Sequence, residues 1–198
     1  MHRVVVIAVL LGVTAGCAAQ DPGAAAPTPS ASASASASAE PSGIMLPPRP
    51  RELGLDGVDP CSVLSARQRA GLGLDGRPVA GRTGALFGAA SSCTIGGSEP
   101  REVSAGLAVV TDRGIDVITA AGSVTDELTV ITVAGFPAVL ARPTRLRDFC
   151  SVEVDVAAGQ LLDVQFAQGT RDQPIPQDQL CRDAEQVAEA ALTSLLAG

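Results

Sequence analysis

Hydrophobic and polar residues alternate most regularly over Cys150–Val156. Cys150, Val152, Val154 and Val156 fall on one side, and Ser151, Glu153 and Asp155 on the other. A period of two predicts a strand with one buried and one solvated face. Ala157-Ala158-Gly159-Gln160 reads as a turn, and Leu161–Gln168 as the returning arm of a hairpin. Val103, Ala105, Leu107 and Val109 alternate with Ser104, Gly106 and Ala108, which predicts another strand. The β-branched run Leu128–Val133 reads as a strand, and Gly135 turns the chain into a further one over about Pro137–Arg142. Gly114–Thr119 fits either a strand or a helix.

Two segments carry helical signals. Ser65 with Gln68 three residues later is a capping-box pattern, and Gly71 is a plausible stop, so a short helix is expected over about 61–71. Near the end of the chain, Leu180, Ala184, Val187, Ala188, Ala191 and Leu195 recur on one helical face, with Pro176 before them and Gly198 after. Helix, meandering strands, helix implies an α+β fold. The expected architecture is an antiparallel sheet with the short N-terminal helix and the C-terminal helix packed on one face.

The N-terminal segment has a different logic. Met1-His2-Arg3 is a short positive stretch, Val4–Val13 is apolar, and Thr14-Ala15-Gly16-Cys17 follows. The apolar run is shorter than the ~20 residues a spanning helix needs. Small residues before a Cys resemble a bacterial lipobox, although Thr14 stands where Leu is usual. The chemistry implied is diacylglyceryl transfer to the Cys17 thiol, palmitate being an expected acyl chain, and cleavage between Gly16 and Cys17. The alternative is an ordinary signal peptide with an incidental Cys. Residues 17–50 are rich in Ala, Ser and Pro, lack the apolar content that offsets ordering entropy, and are expected to form a disordered tether. The expected organisation is a signal peptide over 1–16, a lipidated linker over 17–50 and one domain over 51–198. The expected location is the extracytoplasmic face of a cell membrane, held by the lipid anchor.

Composition narrows the functions available. The chain has no Trp or Tyr, four Phe and a net charge of −7, so it lacks the basic surface and stacking rings of a nucleic-acid binder. There is no Lys, and the single His lies in the N-terminal segment, at His2. Ser–His, Cys–His, Ser–Lys and Schiff-base chemistry therefore lack a partner in the domain. No cofactor and no metal centre is expected, and catalysis would have to rest on Asp, Glu and Arg.

Four cysteines remain beyond Cys17: Cys61, Cys93, Cys150 and Cys181. An even number in an exported domain implies two disulfides, and four cysteines allow three pairings. The local pairs Cys61–Cys93 and Cys150–Cys181 are the expected ones. Each closes a loop of about 30 residues, worth roughly 3–4 kcal/mol in the chain-entropy account. Zinc or redox roles are disfavoured, since no CxxC is present.

Several motifs suggest sites. Arg142, Arg145 and Arg147 form a basic cluster that could grip a carboxylate or phosphate, against the plainer reading of a solvated loop. Glu153 and Asp155 share a strand face about 7 Å apart, a spacing found in inverting glycosidases; a solvated strand face is the plainer reading. Gly71-Leu72-Gly73-Leu74-Asp75-Gly76 matches G-x-G-x-x-G but follows a helix rather than a strand, so a loop is expected.

Asp59-Pro60-Cys61-Ser62-Val63-Leu64, Ser92-Cys93-Thr94, Gly135-Phe136-Pro137-Ala138, Cys150-Ser151-Val152-Glu153-Val154 and Cys181-Arg182-Asp183-Ala184 recur in this order before an Ala/Leu-rich final helix. In this the chain resembles a family of actinobacterial lipoproteins catalogued as domain of unknown function 3558, over about residues 45–198. Ile95 stands where members usually carry Trp. The resemblance implies location and architecture, not activity. The expected function is a non-enzymatic binding or interaction module of the cell envelope. Its expected partners are the bilayer, through acylated Cys17, and an envelope protein, a wall component or a small ligand. A carboxylate-dependent glycan hydrolase and a structural spacer are the alternatives.

Overall fold

Seven strands form one antiparallel sheet in the computed structural model, which describes residues 43–98, 102–169 and 173–198. In chain order the elements are α1 (Ala66–Gly71), β1 (Val79–Arg82), a 3-10 turn (Ala85–Phe87), β2 (Ser91–Gly96), β3 (Val103–Val110), α2 (Asp116–Thr119), β4 (Glu127–Val133), β5 (Phe136–Arg142), β6 (Phe149–Ala157), β7 (Gln160–Gln168) and α3 (Gln177–Ala197). The strand order is β1-β2-β3-β7-β6-β5-β4. Two meanders, β1–β3 and β4–β7, are thus joined by residues 111–126, and β7 closes the sheet against β3.

The expected α+β architecture and both expected disulfides are present. Tight turns set the register: Ala134 and Gly135 both take positive φ (46° and 87°) between β4 and β5, the geometry a two-residue hairpin requires. The capping box at α1 forms as read. Ser65 Oγ accepts from the Gln68 amide (3.3 Å), and Gln68 Oε1 accepts from the Ser65 amide (2.8 Å). The helix begins at Ala66, not Cys61, because this cap fixes its start. Gln68 Nε2 donates to Ala190 O and Ser194 Oγ, both at 2.8 Å, which ties α1 to α3.

The main core lies between the sheet and α3, which packs chiefly across β6 and β7. Leu107, Val152, Val154, Val164 and Phe166 meet Leu180, Ala184, Val187, Ala188 and Ala191 there. Cys61–Cys93 anchors the segment before α1 to β2, and Cys150–Cys181 anchors β6 to α3.

The other sheet face departs from expectation. Ser151, Glu153 and Asp155 are only 7%, 2% and 7% exposed, not solvated. The alternation is real, but period two states which residues share a face and not what covers it. Residues 83–87 and the connection between the two meanders lie over this face. Phe87, Ala90 and Val117 pack on Ala108, Val110 and Leu161 there. Further along the same face, residues assigned to the linker contribute: Arg49 Nη1 donates to both oxygens of Asp155 at 2.6 and 2.7 Å. Arg49 Nη2 also holds Glu52 (2.8 Å), whose other oxygen accepts from the Ala158 amide (2.8 Å). Among the described residues no helix is long and apolar enough to cross a membrane.

Candidate functional site

The covered face holds a half-open cavity of about 370 Å³. Strand register builds its floor from two rows of residues. One row runs Ser92, Ala108, Asp163, Glu153 across β2, β3, β7 and β6; the next runs Thr94, Gly106, Gln165, Ser151 and, on β5, Ala141. Small residues on β3, Gly106 and Ala108, beside long polar ones on β6 and β7 leave the space open. Leu86 and Phe87 from the 3-10 turn, Ile118 and Val124 from the connection, and Phe149 supply apolar walls, and Asp126 adds a third carboxylate.

Glu153 and Asp163 face each other directly in the β6–β7 ladder. Such partners hold their Cβ atoms about 5 Å apart. Glu153 Oε1 accepts a hydrogen bond from Ser151 Oγ at 2.7 Å, while Oε2 is buried without a partner. Burial pushes the Glu153 carboxyl up to about 8; the facing Asp163 charge adds to this, and the Ser151 hydroxyl opposes it. Burial likewise raises Asp163 to about 7. Near neutral pH the pair therefore retains protons, and it can act as donor, acceptor or, once ionised, counter-charge.

Asp155, weighed as a possible partner of Glu153 against a solvated strand face, is held by Arg49 and lies outside this cavity. The sequence pairing thus fails, because it followed one strand; Glu153 meets its acid across the hairpin. Folding back at Ala158-Gly159 alone would set Val164 opposite Glu153; an irregularity between Asp155 and Ala157 shifts the register by one and brings Asp163 there, a feature the sequence pattern does not announce.

The arginine cluster is not gathered at the cavity. Arg142 pairs with Asp178 at the start of α3, which holds that carboxyl below its usual range. Arg145 and Arg147 are exposed on the loop before β6, with no ion-pair partner among the described residues. The Gly71–Gly76 segment is a loop leaving α1, as read. Its Asp75 caps Ser98, accepting from the amide at 2.7 Å, and Leu74 is fully buried. Gly16 and Cys17 lie outside the described residues.

A second hollow of about 610 Å³ lies beside β1, between residues 57–60 and 88–91. Its charged residues, Asp59, Arg82 and Asp112, are exposed, and no unpartnered buried polar atom faces it. The Glu153 cavity is therefore the candidate site. Among the described residues no cluster of three His, Cys, Asp or Glu could hold a metal ion.

No curated protein and no solved structure matches the chain. A family model described as Protein of unknown function (DUF3558) matches residues 12–194, nearly the whole length. The chain belongs to the DUF3558 family.

Proposed function

We propose that the protein is a non-enzymatic, small-ligand-binding lipoprotein of a bacterial cell envelope, held at the extracytoplasmic face of the membrane through acylated Cys17. The positive-then-apolar N-terminal segment ending at Cys17, the Ala/Ser/Pro-rich stretch after it and the two disulfides support export and anchoring. The binding role rests on one observation: a carboxyl 2% exposed, with one oxygen unpartnered, on the floor of a cavity of about 370 Å³. A buried polar atom without a partner costs about 1–3 kcal/mol, which a ligand group bonded to it would recover. The cavity size lies within the range of small-molecule sites.

Native mass spectrometry of protein extracted from membranes tests this. The expected result is a diacylglyceryl-modified N-terminal Cys17 and an adduct that disappears in Gly106→Leu. That substitution projects into the cavity, where an added Cβ would meet only Gln165 Cβ at 3.9 Å. An unmodified N-terminus, or no adduct together with no change in melting temperature across a small-molecule library, would refute the proposal.

A second reading, a carboxylate-dependent glycan hydrolase, draws on the Glu153–Asp163 pair. Retaining glycosidases place two carboxyls about 5 Å apart and keep one protonated. Against it, the chain has no Trp or Tyr to stack on a sugar ring. Turnover of wall glycan fragments that is lost in both Glu153→Gln and Asp163→Asn would establish it.

A further inference from the structure

Resting on the binding role proposed above, we infer that the ligand of the Glu153 cavity is a small organic cation: an amine carrying a compact apolar body. Three carboxylates line the cavity: Glu153 from β6 and Asp163 from β7, which face each other, and Asp126 from the segment before β4. No basic residue lines the cavity; β2, β3, β5, α2 and the Thr83–Phe87 segment contribute no titratable side chain to it. Arg113 donates to the Ala85 and Leu86 carbonyls of the cover. Once these acids ionise, an anionic ligand would meet charges of its own sign with no basic lining residue to offset them. Glu153 Oε2 is a buried acceptor with no donor, which an ammonium N–H would supply. A bare metal ion is a poorer fit, since the three acids do not converge into a ligand cluster. Leu86, Phe87, Ile118, Val124 and Phe149 form walls suited to a hydrocarbon body, and the two Phe rings can face a cation.

Binding is coupled to proton release. An alkylammonium stays charged to about pH 10, whereas Glu153 and Asp163 must lose protons to become its counter-ions. Affinity therefore rises with pH across the range in which the pair ionises, about 7 to about 8.

The test is calorimetric titration of the purified full-length protein with three probes of one shape: cyclohexylamine, cyclohexanol and cyclohexanecarboxylate. At about pH 8.5 the amine should bind about tenfold or more tightly than the alcohol, and the carboxylate weakest. At about pH 5.5 the amine should lose about tenfold or more of that affinity. Glu153→Gln should remove most of the preference and flatten the pH dependence, and Gly106→Leu should abolish binding; both variants are checked for a cooperative melt. Binding of the alcohol or carboxylate as tight as that of the amine overturns the cationic assignment while leaving a binding cavity in place. Amine binding unchanged in Gly106→Leu puts the site elsewhere and overturns it too. Binding of none of the three overturns the amine class; the adduct measurement above separately decides whether the cavity binds anything.

Discussion

Replacing Glu153 by Gln should reverse its effect on stability between acid and alkaline pH. The carboxyl moves from 4.5 in the unfolded chain to about 8 in the fold. A raised carboxyl contributes stability that is fully present below the unfolded value and is lost as pH climbs through the folded one. The shift corresponds to about 5 kcal/mol, of which about 4 falls between pH 5 and 9. That is a large fraction of a typical net stability of about 5–15 kcal/mol. Gln keeps the shape and can still accept from Ser151, but leaves an unpaired buried amide costing about 1–3 kcal/mol at every pH. Urea unfolding with disulfides intact, at about pH 5, 7 and 9, reads this out. Asp163, raised to about 7, adds about 3 kcal/mol over the same range, so with a slope of about 2 kcal/mol per molar the wild-type midpoint should fall by about 3 M from pH 5 to 9, about 2 M of it from Glu153. Glu153→Gln should start lower, fall by only the Asp163 share and end above wild type at pH 9. Glu52, Asp75 and Asp178, lowered by Arg49, by Ser98 and by Arg142 respectively, lose their contributions only on the acid side, below this window. A wild-type midpoint independent of pH from 5 to 9, or parallel curves for the two proteins, would refute the buried-acid reasoning.

Other residues give separate tests. Arg49→Ala leaves Asp155 without the Nη1 donor shared by its two oxygens and should cost about 1–3 kcal/mol in denaturant titration, with faster proteolysis around residues 43–55. Removing the Cys150–Cys181 bond with the double alanine variant should cost roughly 3–4 kcal/mol, seen as a lower melting temperature under non-reducing conditions. Gly97→Ala should destabilise strongly in a thermal melt, since its Cβ would sit 2.2 Å from the Gly73 carbonyl oxygen. Cys17→Ser should move the protein from the membrane to the soluble fraction when fractions are blotted, because it removes the acyl acceptor.

The sequence made some features legible because their physics is local. The capping box at Ser65, the β6–β7 hairpin and the apolar face of α3 depend on residues a few positions apart. Both disulfides follow the nearest pairing in sequence. β1 could not be read, since all four of its residues are exposed and show no alternation. β2 was obscured by Ser and Gly at its ends, which mimic loop composition. The cavity was hidden for a different reason. Its roof comes from residues 83–87 and 118–126, far in sequence from the strands they cover, so Glu153 looked like a surface acid. Arg49 was concealed by the Pro-rich composition around it, although its target Asp155 is more than a hundred residues away.

Carbon-13 NMR titration of the side-chain carboxyls, with Glu153 and Asp163 assigned by substitution, tests the central claim most directly. The account predicts midpoints at about 8 and about 7, both moving downward when an amine fills the cavity. Midpoints near 4 for both residues, insensitive to added amine, would contradict it.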